Sequence, residues 1–171
     1  NAFIEQISLD SIKKVELIGG YFIPTLKEIV DIIPEKIFLN IELKGQDTSF
    51  ETNKIITNYL KKYNFPASKF IISSFRWDEL KKIRSINKDI PIAILVDSLN
   101  KIGDAIKLAK QINAVALNPN KNFITRELVN KIKLNNIKVY PYTINTSRNI
   151  RRLRSMGVDA IITDYPERIK R

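Results

Sequence analysis

Short runs rich in β-branched residues alternate along this chain with segments whose apolar residues recur three and four positions apart. The runs lie at 37–43 (IFLNIEL), 69–75, 90–97, 114–119, 138–144 and 160–165, and each reads as a strand. Helical spacing is found at 24–33, 51–63, 76–86, 99–112, 124–135 and 146–156. Helix punctuation agrees with these bounds. Pro24 and Thr25 open the first helix, Asp97 and Ser98 precede the fourth, Thr146 and Ser147 start the last, and Gly157 follows it at the C′ position.

Strict alternation implies right-handed βαβ crossovers and a parallel sheet, either doubly wound or closed into a barrel. From the run starting at 37 to the one starting at 160 the spacing averages about 25 residues per unit, near the ~31 of an eight-unit barrel of ~250 residues. The 5 glycines never form the GxGxxG turn of a dinucleotide-binding fold, and no P-loop pattern occurs. The expected fold is therefore a TIM-type (β/α)8 barrel of which about six βα units are present. Residues 1–36 supply one helix and a weakly patterned lead in which no further strands are placed. A closed barrel needs eight strands, so residues 1–171 are expected to form a single, incomplete barrel domain, its C-terminal three-quarters.

Composition narrows the chemistry. The 171 residues contain no Cys and no His, which removes disulfides, thiolate zinc sites, a cysteine nucleophile and the commonest general base. Lys and Arg number 29 against 18 Asp and Glu, a formal charge of +11. These charges are spread over several helices. The only dense group, Arg148, Arg151, Arg152 and Arg154, shares its helix with the apolar stripe Ile150, Leu153 and Met156, so the expectation is a solvated basic surface without specific nucleic-acid binding. No apolar run reaches the ~18 residues of a membrane span, and a cytoplasmic location is expected.

Functional groups of α/β barrels gather at the C-terminal ends of the strands. Polar residues collect there in this sequence: Asn40, Glu42 and Lys44, Ser73 and Ser74, Asp97, Asn118, Thr143 and Asn145, Thr163 and Asp164. For Asp97, Thr146 and Asp164, capping of the next helix or turn is the simpler reading. Strand alternation puts Phe38, Asn40, Glu42 and Lys44 on one face and Ile37, Leu39, Ile41 and Leu43 on the other. The apolar set packs on helices, so Glu42 points into the mouth, where a buried carboxylate needs a metal ion or the adjacent Lys44 as partner.

The string IPTLKEIVDIIPEKIFLNIELKG (23–45), followed in order by FIISSF (70–75), AVALNP (114–119), VYPYTIN (139–145) and GVDAIITDYPERI (157–169), resembles the glycerophosphodiester phosphodiesterase family over nearly the whole chain. The resemblance implies a barrel that hydrolyses glycerophosphodiesters to glycerol 3-phosphate and an alcohol with a divalent metal, Mg²⁺ or Ca²⁺. It also implies roles for three residues. Glu42 corresponds to a carboxylate metal ligand, Lys44 to the catalytic lysine beside the phosphate, and Tyr142 to the aromatic wall of the glycerol pocket, where the family usually has Trp. The family's HRG and HD histidines and its ExD carboxylate pair are not in these 171 residues, so the chain alone is expected to be inactive. Two other readings stand beside this one: a non-catalytic relic of the same barrel that binds a phosphorylated ligand or a partner, and a sphingomyelinase D-like phosphodiesterase. In the preferred reading the partner is a small-molecule glycerophosphodiester.

Overall fold

The computed structural model describes residues 4–169. Its centre is a five-stranded parallel sheet in sequential order: β3 (Leu39–Glu42), β4 (Phe70–Ser74), β5 (Ile92–Val96), β6 (Ala116–Pro119) and β7 (Lys138–Val139). Helices α3 (Ser49–Tyr63), α4 (Trp77–Ile86), α5 (Ile102–Gln111), α6 (Arg126–Lys133) and α7 (Ser147–Ser155) follow them one by one. Sequential order with a helix at every crossover is a section of an α/β barrel.

Only one side of the sheet is covered by helices. Ile72, Ile92, Ile94, Val96, Leu117 and Val139 face it and pack with Ile56, Leu80, Ile83, Ile106, Val129, Ile132, Ile150 and Leu153 from the helices. All five residues of β5 are buried, as expected of a central parallel strand enclosed on both faces. On the other face, the register Glu42↔Ser73, Ser73↔Ala93 and Leu95↔Asn118 lines up the side chains of the barrel interior, all but Leu95 small or polar.

The sixth expected strand, 160–165, is not a regular ladder strand. The segment still lies beside β7 and its continuation, with Ala160 and Ile162 donating to the carbonyls of Val139 and Pro141, and Ile144 donating to the carbonyl of Ile162. Two chemical facts interrupt the ladder. Pro141 has no N–H to give, and the Val139 N–H is taken by the Asp159 carboxylate at 2.9 Å. The run at 138–144 is likewise assigned as strand only at Lys138–Val139, although Tyr140 and Tyr142 continue to donate to β6, through Leu117 and Pro119.

The lead contains more than one helix. A 3-10 turn (Ile4–Gln6) and α1 (Leu9–Ile12) precede a small antiparallel hairpin, β1 (Glu16–Leu17) with β2 (Tyr21–Phe22). Gly19 and Gly20 turn the chain between them at φ 93° and 80°, the left-handed region that glycine enters without a Cβ clash. The helix expected at 24–33 is α2 (Leu26–Ile32), opened by a reciprocal capping box between Thr25 and Glu28.

Polar staples hold the helix ends. Arg84 of α4 donates to five backbone carbonyls, those of Asn87 and Lys88 after its own helix, Ile90 before β5, and Ile112 and Asn113 after α5. Lys69, buried just before β4, donates to the carbonyls of Pro34 and Glu35. Thr146 caps α7 by accepting from the Asn149 N–H, and Gly157 follows the helix at φ 81°.

Candidate active site

Glu42 ends β3 on the interior face. Its side chain keeps 33% of its surface exposed, and the Lys44 ammonium, 79% exposed, stands 3.9 Å from its Oε2. The carboxylate is therefore not sealed in the interior, contrary to the expectation of a buried charge. Alternation along β3 is as expected, with Leu43 buried and Glu42 and Lys44 turned toward the mouth. An ion pair this long and this exposed contributes little to stability, which leaves both groups available to a ligand.

Tyr142 stands across the mouth. Its hydroxyl donates to the Val96 carbonyl at 3.1 Å, and its ring meets Phe75 edge-on at 5.7 Å between centroids. Burial pushes the Tyr142 phenol up from its ordinary pKa; the Asn120 amide partly offsets this, and the negative charges of Asp97 and Glu42 add to it. The tyrosine thus stays protonated near neutral pH and senses both carboxylates.

The remaining strand ends divide into two kinds. Asn145, Thr163 and Asp164 come together: Asn145 donates to Asp164 Oδ2 at 2.7 Å, and its own amide oxygen accepts from the Thr163 hydroxyl and the Asp164 N–H. Arg168 donates to the Asn145 carbonyl and lies over the Tyr165 ring at 3.6 Å. This clasp ties the loop after β7 to the segment after 160–163. Asp97 does not cap α5; it pairs with Lys101 at 2.9 Å, whose hydrogen bond lowers the carboxyl pKa. Ser74 is structural, donating to the Leu43 carbonyl at 2.6 Å and accepting from the Arg76 N–H. Ser73 Oγ and Asn118 Oδ1 are buried on the interior face without a hydrogen-bond partner.

Sequence reasoning missed Glu79. It lies in the first turn of α4, where an acid reads as an ordinary favourable charge at a helix start, yet its side chain is fully buried. Oε1 accepts from the Asp47 N–H and the Lys82 ammonium, both at 2.9 Å, and Oε2 accepts from the Ser49 N–H at 3.0 Å. Burial works to raise its pKa, but Lys82 and the groups of Ser49 and Asp47 outweigh it and hold the carboxyl at about 2, against an ordinary 4.5. Glu79 thereby caps α3 from a neighbouring helix and fixes the loop that follows Lys44. Phe75 was also overlooked, although Ile71, Ser73 and Phe75 alternate in step with Asn40, Glu42 and Lys44 and could have been read into the mouth.

Among the described residues no group of three or more Asp, Glu, His or Cys side chains is placed to hold a metal ion. Glu42 offers one carboxylate where Mg²⁺ or Ca²⁺ takes six or more oxygens. These residues by themselves do not fit a divalent cation. No helix among them is long and apolar enough to cross a membrane.

Residues 3–168 match the glycerophosphoryl diester phosphodiesterase family. The glycerophosphodiester phosphodiesterase of Caldanaerobacter subterraneus subsp. tengcongensis is 32% identical over 96% of this chain and 70% of its own length. A putative glycerophosphodiester phosphodiesterase of Bacillus subtilis is 25% identical over 98% of this chain and 72% of its own. Among solved structures, an Oleispira antarctica phosphodiesterase in complex with the product sn-glycerol-3-phosphate superposes with a TM-score of 0.82 at 24% identity, covering 98% of this chain and 71% of that one. A putative glycerophosphodiester phosphodiesterase of Galdieria sulphuraria gives 0.80 at 22% identity, covering 98% and 70%. These structural likenesses establish the shared TIM-type fold.

Proposed function

This chain belongs to the glycerophosphoryl diester phosphodiesterase family, and from that premise we propose that it provides the lysine, aromatic and one-carboxylate side of a site that hydrolyses glycerophosphodiesters to glycerol 3-phosphate and an alcohol. What supports the reading is the placement of Glu42, Lys44 and Tyr142 at the C-terminal ends of the strands. Lys44 lies 3.9 Å from the Glu42 carboxylate, and the Tyr142 ring meets Phe75, two residues beyond the Ser73 that pairs with Glu42.

Each residue has a task suited to its chemistry. The Lys44 ammonium is an exposed point charge that meets the phosphoryl oxygens and stabilises the charge growing on them. The Tyr142 ring, fixed by Val96 and Phe75, forms an apolar wall for the glycerol carbons. Glu42 would supply one carboxylate oxygen donor to a divalent cation, Mg²⁺ or Ca²⁺, which takes six or more oxygens and would need further ligands from outside the described residues. With no His in its sequence and one carboxylate for the metal, the 171-residue chain by itself is inactive in this reading.

The test is release of glycerol 3-phosphate from glycerophosphodiesters in the presence of Mg²⁺ or Ca²⁺. It compares the chain alone with a chimera joining it to the part of the Caldanaerobacter relative that it does not cover. The chain should be silent and the chimera active. In the chimera, Lys44→Met should cost roughly 2–4 kcal/mol of transition-state stabilisation, as loss of one oxyanion donor does, with metal affinity unchanged. Glu42→Gln should weaken metal binding, with partial recovery at high metal. Turnover by the chain alone would remove the inactivity claim, and unchanged metal binding in Glu42→Gln would remove the ligand assignment.

A further inference from the structure

Beside Tyr142, at the C-terminal ends of β4 and β5, lies a cleft of about 390 Å³ that none of the roles above uses. Two rings and four charged groups line it: Phe75, Trp77, Arg76, Asp78, Asp97 and Lys101. The Trp77 indole is held in place by donation of its Nε1–H to the Leu95 carbonyl at 3.1 Å. Phe75 belongs to both places, since it also contacts Tyr142 edge-on at 5.7 Å. A ligand whose glycerol carbons lie on Tyr142 therefore extends naturally into this cleft.

The charges are balanced in pairs. Asp97 Oδ1 lies 2.9 Å from Lys101 Nζ, and Asp78 Oδ2 lies 3.8 Å from the Arg76 guanidinium. A fixed cation such as a quaternary ammonium is held by aromatic faces acting with uncompensated negative charge, and here each carboxylate already faces a cation. Hydroxyl groups suit the lining better, because an O–H donates to a carboxylate while its oxygen accepts from an ammonium or guanidinium. The rings offer apolar surface to the carbon skeleton that carries those hydroxyls, and the volume falls within the usual range of small-molecule pockets.

We propose that the Phe75–Trp77–Asp97–Lys101 cleft is the subsite for the leaving alcohol, and that the alcohol it takes is a polyol, of the glycerol or inositol kind, in preference to choline. The proposal rests on the hydrolase reading above and adds the class of head group to it. Asp97 and Lys101 determine specificity and take no part in the chemistry.

Trp77 is the only tryptophan, so its fluorescence reports on this cleft without any need for turnover. The 171-residue chain is titrated with glycerophosphoinositol, with glycerophosphocholine and with glycerol 3-phosphate, which has no head group. A saturable change with glycerophosphoinositol is expected, at an affinity about tenfold above that for glycerophosphocholine, the scale of one hydrogen bond to a charged group. Glycerol 3-phosphate should leave Trp77 undisturbed. Asp97→Asn and Lys101→Met should each erase the preference while circular dichroism stays that of the parent. Equal or tighter binding of the choline diester overturns the proposal, as does a Trp77 response to glycerol 3-phosphate alone, no response to either diester, or a preference that survives both substitutions. The two readings fail separately. Turnover by the chimera without head-group preference removes the subsite and leaves the hydrolase, whereas polyol-selective Trp77 binding with a silent chimera keeps the subsite and removes the hydrolase.

Discussion

Residues 4–38 and residues 39–158 are built from similar amino acids and put them to opposite use. In the first region Val30 is the single large apolar side chain that is fully buried, while ten others, from Ile4 to Phe38, are exposed, Ile18 completely so. In the second, β5 is buried throughout and helices α3–α7 each bury apolar residues against the sheet. Both regions are well supplied with Ile, Leu and Phe, so hydrophobicity alone does not decide burial; an apolar side chain is buried only where a second layer lies opposite it. The parallel sheet has its helical layer. The β1–β2 hairpin, two residues to a strand, has no such cover, and isolated hairpins are at best marginal in water.

Truncation measures the contrast at its largest. Leu117→Ala or Ile94→Ala should cost roughly 2–5 kcal/mol in urea unfolding, because each leaves a cavity in a closed core. The same change at Ile18 should stay within about 0.5 kcal/mol. Equal costs would mean that the first region is covered in solution.

A second pair sets two carboxyls with the same pKa against each other. Glu79 and Glu28 are both held at about 2, against an ordinary 4.5. Glu28, in the first region, owes this to Lys13 first and then to the capping box, all at the exposed surface. A depressed carboxyl adds stability above its unfolded pKa and loses it as pH falls toward the folded value, so the window for both is pH 4.5 down to about 2. Glu79 should dominate the loss there. Glu79→Gln should cost about 3 kcal/mol at pH 7, since it leaves Lys82 without its buried partner, and should flatten the acid limb of the stability curve. Glu28→Gln should leave that limb almost unchanged. A flat limb in Glu28→Gln and a steep one in Glu79→Gln would reverse the assignment.

The smallest effect is local. Thr25→Ala removes the N-cap of α2 and should cost on the order of 1 kcal/mol, visible as faster amide exchange confined to residues 26–32. Spread of that effect into β5 would show the two regions to be more tightly joined than their packing indicates.

How far the sequence could be read follows the same division. Strand and helix order from 39 onward was legible because the apolar period switches cleanly between alternation and helical spacing, as in IFLNIEL against the segment at 51–63. The hairpin in the lead was not, since two-residue strands carry no period and only Gly19–Gly20 marks the turn. The 160–165 run has strand composition, but Pro141 and the Asp159 carboxylate, which spoil its ladder, act from another segment and from a side chain. In the site, Glu42, Lys44 and Tyr142 were readable by motif and alternation. Glu79 was not, because its burial comes from the approach of the Asp47–Ser49 backbone, about thirty residues away in sequence. The cleft beside Trp77 depends on how Asp97 and Lys101 come to lie next to α4, and no local pattern encodes that.

Arg84 bears on how such a molecule comes apart. A fold assembled from near-equal units could shed them one at a time, as stacked repeats do when each holds only its neighbour. The guanidinium of Arg84 works against that by joining the end of one unit, the threshold of the next and the far end of the helix after it. Peeling α5 away leaves donors on α4 unpaired, and losing α4 leaves the carbonyls of the turn that leads into β6 without their donor. The two units are obliged to melt as a pair, and a break in the chain within this stretch does more harm than one placed on either side of it.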